Sequence, residues 1–245
     1  MNPITHSRTH VITSRILRFF LPWACAGCRG ALSSLEDEGF CGRCWLSLRR
    51  ITGLICSRCG LPLKEGGSLC FRCRTDAPSL RIRAAVEYRG VIPPAIHRFK
   101  YGGRKTLMRS FGVLLRSAWD HWPELRASQV LIPVPLHPRN QRQRGYNQAA
   151  LLAQALSEWS DRPMLDSLLV RSRMTAAQFK LTRVQRLANL HRAFTIQRVI
   201  PEDLRTKSFL LIDDICTTGA TLQECAKALR RAGARQVQGL VLARD

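Results

Sequence analysis

The sequence predicts an α/β fold, a parallel sheet with flanking helices, preceded by a small metal-binding domain. From about residue 80 onward, short apolar runs alternate with helical patterns, which is typical of parallel strands joined by right-handed crossovers. The clearest apolar run, residues 209–212, is followed by two aspartates and a loop of small residues. Between residues 25 and 73, the cysteines fall in four Cys-x-x-Cys pairs, a spacing typical of metal sites.

Composition changes along the chain and divides it into three parts. With 245 residues, of which 45% are hydrophobic, the chain has room for one large or two smaller domains. We predict a basic N-terminal arm or helix over residues 1–22, a double zinc ribbon over 23–76 and the α/β domain over 80–245. Arg15 and Arg18 interrupt the apolar residues of the arm, which is unlike the core of a signal peptide. A helix packed on the first folded unit is favoured over an arm that contacts membrane or DNA.

The net charge is +22, because the chain has 39 Lys and Arg residues but only 17 Asp and Glu residues. Such a charge attracts polyanions, namely nucleic acid, an anionic membrane or phosphorylated substrates. No run of 18 apolar residues is present, so we expect no transmembrane helix. Because nothing in the sequence supports secretion, we expect a cytoplasmic protein.

The four Cys-x-x-Cys pairs predict two structural zinc sites. Four thiolates close a tetrahedral Zn²⁺ site, and evenly repeated pairs favour metal over disulfides. A sequential arrangement is favoured, and a cross-braced one, first pair with third and second with fourth, is the alternative. Since so short a domain buries little surface, zinc would supply its folding free energy. The sequential ligand sets are Cys25, Cys28, Cys41 and Cys44, then Cys56, Cys59, Cys70 and Cys73.

Arginines and aromatic residues are interleaved between these cysteines, among them Trp45 and Phe71. Arginine with aromatic side chains binds single-stranded nucleic acid through phosphate contacts and base stacking. The equally weighted alternative is that the aromatic residues pack the small core and the arginines face solvent. The remaining cysteines stand apart: Cys225 fits packing on a helix face, and Cys216 is either a reactive thiol or, as we favour, a variable loop position.

The elements of the α/β domain follow a linker at residues 76–79. Two glycines end the first helix, Pro133 and Pro135 stop the second strand, and Gly233 suits the end of the last helix. The predicted strands cover 81–88, 129–134, 164–170, 209–213 and 236–242, and the predicted helices cover 95–101, 106–119, 147–159, 183–190 and 220–231.

The segment 209–221 combines a buried strand, two carboxylates and the start of a helix. Asp213 and Asp214 come where the strand is predicted to end, at the sheet edge where open α/β folds bind ligands. The loop from Cys216 to Thr221 supplies hydroxyls and precedes a helix, whose free N–H groups suit a phosphate. The carboxylates can accept hydrogen bonds from sugar hydroxyls, and the loop beside them can donate hydrogen bonds to a phosphate. Together they indicate a ribose 5-phosphate site.

These residues resemble the 5-phosphoribosyl 1-pyrophosphate (PRPP) motif of type I phosphoribosyltransferases. The one departure is Ala220, where many members have glycine. The resemblance implies a type I phosphoribosyltransferase-like sheet and Mg²⁺ bound with PRPP. It further implies that Asp213 and Asp214 are catalytic and that the phosphate is held by Cys216, Thr217, Thr218, Gly219, Ala220 and Thr221.

Further segments resemble the ComF/GntX family of bacterial competence-related proteins, over about residues 17–243. They are the stretch from Lys100 to Gly103, the stretches 133–135 and 144–148, and a fourth segment made by Thr175, Gln178, Arg186 and Asn189. This resemblance implies N-terminal zinc ribbons and a link to DNA uptake. The partners it implies are PRPP, single-stranded DNA, and DNA-uptake or recombination proteins.

Several residues are candidates for the pyrophosphate that leaves. In similar enzymes the loop at Val134 and Pro135 contacts pyrophosphate, and arginines in a polar loop suit such a leaving group. Asn147 either caps its helix or touches ligand. The other candidates are Lys100, Arg139, Arg142 and Arg144. For the three arginines, the alternative is a basic loop that only faces solvent.

Two functions fit these features. The first is a PRPP-binding phosphoribosyltransferase-like protein whose acceptor the sequence does not identify. The second is a catalytically silent single-stranded DNA-binding protein that keeps the PRPP site as a sensor. A structural adaptor between DNA and uptake machinery is a weaker third.

Overall fold

A computed structural model describes residues 24–32, 39–173, 190, 192–197, 200 and 202–245. The arm predicted over 1–22 lies outside them, as do residues 175, 178, 186 and 189 and almost all of the helix predicted over 183–190. The strands are β1 Arg81–Glu87, β2 Val130–Pro133, β3 Leu169–Arg171, β4 Phe194–Ile196, β5 Ser208–Cys216 and β6 Gln236–Arg244. The helices are α1 Gly42–Leu46, α2 Phe71–Thr75, α3 Ile92–Tyr101, α4 Leu107–His121, α5 Pro138–Arg144, α6 Gln148–Ser160, α7 Glu202–Arg205 and α8 Ala220–Arg231.

The main sheet has four parallel strands in the order β1-β6-β5-β2. Side chains of β5 alternate between two buried clusters: Leu210 and Ile212 pack on one face, and Phe209 and Leu211 on the other. Because both faces of β5 are covered, its sequence is a continuous apolar run rather than an alternating one. The predicted parallel α/β class is confirmed.

Two local expectations are wrong. The strand predicted over 164–170 is shorter and lies later: Met164 forms only an isolated bridge with Leu131, and β3 pairs antiparallel with β4. The arginine-rich stretch expected to be a loop forms α5. Pro138 occupies the first turn of this helix, and His137 Nδ1 accepts from the Arg139 N–H at 3.2 Å. Gly145 ends the helix at φ 81°, a conformation that glycine adopts without strain.

The cysteine-rich region lies along the edge of the main sheet. The Ile51 N–H donates to the Ala85 carbonyl at 2.9 Å, and the Glu87 N–H donates to the Arg49 carbonyl at 2.9 Å. These bonds cover the edge of β1, which would otherwise expose unpaired backbone groups. The ribbons are therefore packed on the α/β unit. Among the described residues, no helix is both long enough and apolar enough to cross a bilayer.

Candidate functional site

The two aspartates lie where β5 passes the end of β2. The last pair between these strands joins Pro133 and Ile212, whereas β5 stays paired with β6 as far as Cys216. The sequence predicts a strand that ends at Asp213, and the structure extends it because β6 continues beside it. Asp213 is 8% exposed and Asp214 is 3% exposed. Two buried carboxylates thus stand at the carboxyl edge of the sheet, beyond its shorter strand.

Lys100 comes from α3 and pairs with the second carboxylate. Its Nζ lies 2.7 Å from Asp214 Oδ2, and the Asp214 N–H donates to Asp213 Oδ1 at 2.8 Å. Lys100, Asp213 and Asp214 therefore form one cluster, which we call the carboxylate cluster. The sequence suggests Lys100 as a phosphate ligand. In the structure its partner is a carboxylate, and the phosphate role stays a prediction.

The environment of the carboxylate cluster favours the protonated form of Asp213 and the charged form of Lys100. Burial, together with repulsion from Asp214, raises the pKa of Asp213 well above its ordinary value. Burial by itself lowers the pKa of Lys100, but attraction to Asp214 outweighs it and the net shift is upward. Lys100 thus stays positively charged, while Asp213 binds a proton more readily than an ordinary aspartate.

The loop of residues 217–219, which is predicted to bind phosphate and which we call the phosphate loop, connects β5 to α8. Gly219 has φ 79° immediately before the first residue of α8. A Cβ added at Gly219 would lie 3.2 Å from Ile82 Cδ1, so a side chain here would meet both strain and crowding. Thr218 Oγ1 accepts from the Ala220 N–H at 3.3 Å. Ala220 is the first helical residue, a conformation that alanine adopts readily, so its departure from glycine does not disturb the loop.

The loop after β2 is held by backbone contacts and by Asn147. The Val134 N–H donates to the Ile212 carbonyl at 2.9 Å. Asn147 Nδ2 donates to the Val134 carbonyl at 3.0 Å, while Asn147 Oδ1 accepts from the Ala149 N–H at 3.0 Å. Asn147 therefore caps α6 and also fixes this loop. Val134 and Pro135 are both buried, next to the strand that carries the aspartates.

The three candidate arginines are placed differently. Arg139 and Arg142 are exposed on α5. Arg144 is half-buried, and its guanidinium lies 4.8 Å from the centre of the Tyr101 ring. Since Tyr101 follows Lys100 directly, this ring contact brings Arg144 next to the segment that carries Lys100.

Tyr101 lies in the segment from Lys100 to Gly103, but the sequence predicts no role for it in ligand binding. Its side chain is 66% exposed, and its ring centre lies 5.1 Å from that of His97. A tyrosine in the last turn of a helix before two glycines gives no signal by itself. Only the position of Arg144 shows that it belongs to the surroundings of the carboxylate cluster.

The cysteines form two separate groups of four. Within each group all sulfur atoms lie within 4.8 Å of one another. Cys28 and Cys41 have their sulfurs 3.8 Å apart, and Cys59 and Cys70 have theirs 3.7 Å apart. A tetrahedral site with Zn–S bonds of about 2.3 Å requires sulfur separations of roughly 3.8 Å. The residues present therefore fit structural zinc, in the sequential arrangement rather than the cross-braced one.

Backbone N–H groups support the first site. Those of Gly27 and Cys41 donate to Cys25 Sγ at 3.4 and 3.3 Å, and that of Gly30 donates to Cys28 Sγ at 3.4 Å. Such donors stabilise the thiolate form that a metal needs. All ten cysteines are free of disulfides.

The two other cysteines do not belong to a metal group. Cys216 is buried at the end of β5, and burial raises its pKa to about 11. A thiol of that pKa is neutral and unreactive near pH 7, so the reactive alternative loses its support. Cys225 is fully buried in α8, in agreement with its expected packing role.

Two buried arginines, Arg83 and Arg244, connect the second zinc site to the sheet, and sequence reasoning missed both. Arg83 Nη1 donates to the Ser57 carbonyl at 3.3 Å, and Arg244 Nε donates to the Cys59 carbonyl at 3.1 Å. Arg83 lies inside β1 and Arg244 is the last residue of β6, beside apolar residues in both strands. A charged residue next to an apolar run is a signal for a buried polar contact, although it does not identify the partner.

Comparison with protein families finds two matching domains. A double zinc ribbon domain matches residues 16–74, and a phosphoribosyl transferase domain matches residues 145–245. The matches cover the two cysteine groups and the phosphate loop respectively.

Comparison with individual proteins finds relatives that match along most of their length. Competence protein F of Haemophilus influenzae is 33% identical over 92% of this chain and 98% of that protein. DNA utilization protein YhgH of Escherichia coli K12 is 32% identical over 91% of this chain and 98% of its own. Competence protein ComFC of Bacillus subtilis is 31% identical over 85% of both chains.

Proposed function

This chain belongs to the family of competence protein F and ComFC, and from that premise we propose that it binds PRPP at the carboxyl edge of β5 and transfers its 5-phosphoribosyl group. The family and the two domains make it a competence-related protein with a phosphoribosyltransferase-type domain. PRPP binding, transfer and the residues that perform them are the proposal.

One observation supports this proposal: the buried pair Asp213 and Asp214 is separated only by Ile215 and Cys216 from a glycine-containing loop at the start of α8. Burying two adjacent carboxylates is costly unless they are paired or bind something. Lys100 compensates one of them. Ribose hydroxyls are neutral hydrogen-bond donors. The two carboxylates can accept hydrogen bonds from them without adding to the negative charge of the site. The pair and the loop together thus match a sugar phosphate, with hydroxyls at one end and a phosphate at the other.

The loop and α8 would hold the 5-phosphate. α8 has 12 residues, so its N-terminus carries the positive end of a full helix dipole. The hydroxyls of Thr217, Thr218 and Thr221 are candidate donors to phosphate oxygens.

Transfer would proceed at C1 of the ribose. The bond between C1 and the pyrophosphate oxygen breaks, and its electron pair leaves with pyrophosphate. A lone pair of the acceptor forms the new bond to C1, and the acceptor proton passes to solvent or to the departing pyrophosphate. Asp213 and Asp214 would stabilise the positive charge that develops on the ribose, while Lys100 and Arg144 would attract the departing negative charge.

Mg²⁺ bound with PRPP would neutralise pyrophosphate oxygens, since Mg²⁺ keeps mainly water and phosphate ligands. Asp213 and Asp214 would orient its water ligands, because carboxylate oxygens suit a hard cation.

Calorimetric titration of the full chain with PRPP and MgCl₂ tests binding, and pyrophosphate release against a panel of nucleobases tests transfer. We expect wild-type protein to bind PRPP and the double variant Asp213→Asn/Asp214→Asn to bind it at least about a hundredfold more weakly, since two charge-assisted hydrogen bonds are lost. Asp161→Asn/Asp166→Asn makes the same charge change at two exposed positions and should bind like wild type. Failure of wild type to bind, or full binding by the double variant at the site, would end the proposal.

A second candidate function, binding of single-stranded nucleic acid, is supported by Phe71. This residue begins α2 on the second ribbon and is 84% exposed, next to the exposed Arg72. Trp45, in contrast, packs with Phe40 at a ring-centre distance of 6.1 Å. The aromatic residues of the ribbons thus divide: one packs the core, and the other is available for stacking on a base.

We further propose that the protein acts in the cytoplasm and divides at the boundaries predicted from the sequence, 1–22, 23–76 and 80–245. Ten free cysteines and thiolate zinc sites suit a reducing compartment.

A further inference from the structure

The second zinc knuckle is attached to the sheet by three consecutive backbone carbonyls. The carbonyls of Ser57 and Cys59 accept from Arg83 and Arg244, and between them the Arg58 carbonyl accepts from the Ile82 N–H at 2.8 Å. The contact is close: a Cβ added at Gly60 would lie 2.6 Å from the Ile82 carbonyl oxygen. Because Cys59 is a metal ligand and Gly60 follows it directly, the position of this backbone depends on the zinc site.

Arg244 continues from this knuckle to the phosphate loop. While its Nε donates to the Cys59 carbonyl at 3.1 Å, its Nη1 donates to the Cys216 carbonyl at 2.8 Å and also to the Thr217 carbonyl. Cys216 ends β5 and Thr217 begins the phosphate loop. One planar guanidinium, on a residue that is 4% exposed, therefore joins a zinc-ligand residue to the first residue of the loop.

The geometry explains why arginine occupies this position. Burying a guanidinium is costly unless its N–H groups find acceptors. Here the acceptors are backbone carbonyls at the end of a strand and at a metal knuckle, and the rigid fork of arginine fixes the spacing between them. Lysine, with a single ammonium on a flexible stem, would not hold both carbonyls in a fixed relation.

We propose that Arg244 is a positioning residue that sets the conformation of the phosphate loop from the second zinc site. An intact four-thiolate site at Cys56, Cys59, Cys70 and Cys73 then becomes a requirement for phosphate binding as well as for folding of the ribbon. The ligand part of this inference rests on the proposed PRPP function, whereas the structural part does not.

Arg83 offers a matched control. It is likewise a buried arginine on a strand of the main sheet, donates to a carbonyl of the same knuckle and forms an ion pair with Glu124 at 2.5 Å. Within the described part of the chain, the hydrogen bonds and the ion pair of Arg83 do not reach the phosphate loop. If Arg244 merely attaches the ribbon, the variants Arg83→Lys and Arg244→Lys should have the same effect on ligand binding.

The experiment compares wild type, Arg244→Lys and Arg83→Lys by titration with PRPP and MgCl₂, by zinc content and by urea unfolding. We expect Arg244→Lys to keep both zinc ions and to bind PRPP about tenfold or more weakly, the scale of one lost hydrogen bond in the phosphate site. Arg83→Lys should bind within about twofold of wild type, even where it unfolds at lower urea. Equal affinity of Arg244→Lys and wild type, or equal weakening in both variants, would overturn the inference.

Amide hydrogen exchange provides a measurement that needs no ligand and no Arg244 variant. In Cys73→Ser, which removes one ligand of the second site, we expect faster exchange at residues 217–221 and unchanged exchange at residues 209–212 of the preceding strand. Unchanged exchange at 217–221 would refute the coupling. If wild type fails to bind PRPP, the proposed function fails. The exchange measurement still decides whether the second zinc site controls the conformation of the phosphate loop.

Discussion

At Asp213 and Asp214, two carboxylates share the end of one strand with a single ammonium group. They are consecutive residues of β5, which stays paired with β6 beyond the end of β2, and consecutive strand residues direct their side chains to opposite faces of the sheet. Lys100 offsets the repulsion at one carboxylate with a 2.7 Å ion pair, whereas burial and repulsion from Asp214 raise the pKa of Asp213. The two carboxylates therefore have different electrostatic surroundings, although they are adjacent in the sequence.

Removing the ammonium group should destabilise the fold. In Lys100→Met, Asp214 stays buried without its 2.7 Å partner, and we expect the free energy of unfolding at pH 7.5 to fall by about 3 kcal/mol, as for other broken buried pairs. Urea unfolding measures this loss. Lys100→Arg, which keeps the charge, should lose less, and adding Asp214→Asn to Lys100→Met should restore most of it. A Lys100→Met protein as stable as wild type would mean that the ion pair contributes little.

Replacing Asp213 should change the pH dependence of stability. Because the folded-state pKa of Asp213 lies above the ordinary value of 3.8, the folded protein binds its proton more tightly than the unfolded chain does. Stability from this group is therefore full below pH 3.8 and is lost as pH rises through the folded pKa. Asp213→Asn should be more stable than wild type at about pH 7.5, and the difference should vanish towards about pH 4.

Urea midpoints measured from about pH 4 to about pH 8 follow this difference. For Asp161→Asn, at an exposed aspartate, the urea midpoint should differ from that of wild type by the same amount at every pH. A constant difference between Asp213→Asn and wild type would show that the burial of charge is not its cause.

The two zinc ribbons are similar elements with different neighbours. Cys25 and Cys44 lie in the same buried cluster as Phe111 and Leu114 of α4. The second set of cysteines forms a cluster of its own, flanked by partly buried leucines. The first ribbon thus shares the core of the α/β unit, whereas the second is attached through its backbone carbonyls and the two arginines.

Disrupting the first zinc site should therefore lower global stability more than disrupting the second. We expect Cys44→Ser to lower the free energy of the main unfolding transition by about 3 kcal/mol, since it disturbs a shared core. Cys73→Ser should change that transition by less than about 1 kcal/mol while still losing one zinc per chain. Zinc content and urea unfolding of the two variants test this, and equal losses in both would contradict the division between a shared and a separate core.

The whole molecule carries a charge of +22, and its sheet edge is covered by arginine-rich ribbons. A charge of this size produces long-range attraction for phosphates that salt screens. PRPP and a nucleic-acid backbone would both respond to it, whereas the proposed PRPP site at the end of β5 would bind a ribose phosphate specifically.

Binding of single-stranded DNA should weaken steeply with salt and should depend on Phe71. For a poly(dT) oligonucleotide, we expect the logarithm of affinity to fall linearly with the logarithm of salt concentration. Phe71→Ala should weaken binding about fivefold or more, as for the loss of one stacked base, with an unchanged salt slope. Leu46→Ala, at another exposed apolar ribbon residue, is the control. Fluorescence anisotropy measures all three, and salt-independent binding or equal effects of both variants would count against this function.

Much of the fold and part of the site could be predicted because the signals are local. The strand β5, the helix α8 from Ala220 to Arg231 and the cysteine groups depend on apolar runs, a loop and a two-residue spacing. Where local signals compete, prediction failed: a polar arginine-rich stretch became α5 because His137, Pro138 and Gly145 together cap a short helix.

The sequence by itself determined the carboxylates, the phosphate loop and the zinc ligands, since each set is contiguous or evenly spaced and its chemistry is fixed by residue type. Only the tertiary structure decided that Lys100 meets Asp214, that Asn147 holds the loop after β2 and that Arg244 joins Cys59 to Cys216. Arg244 and Cys59 are 185 positions apart. Contacts of this kind arise from strand order and register, which bring distant residues to one sheet edge and which no local pattern encodes.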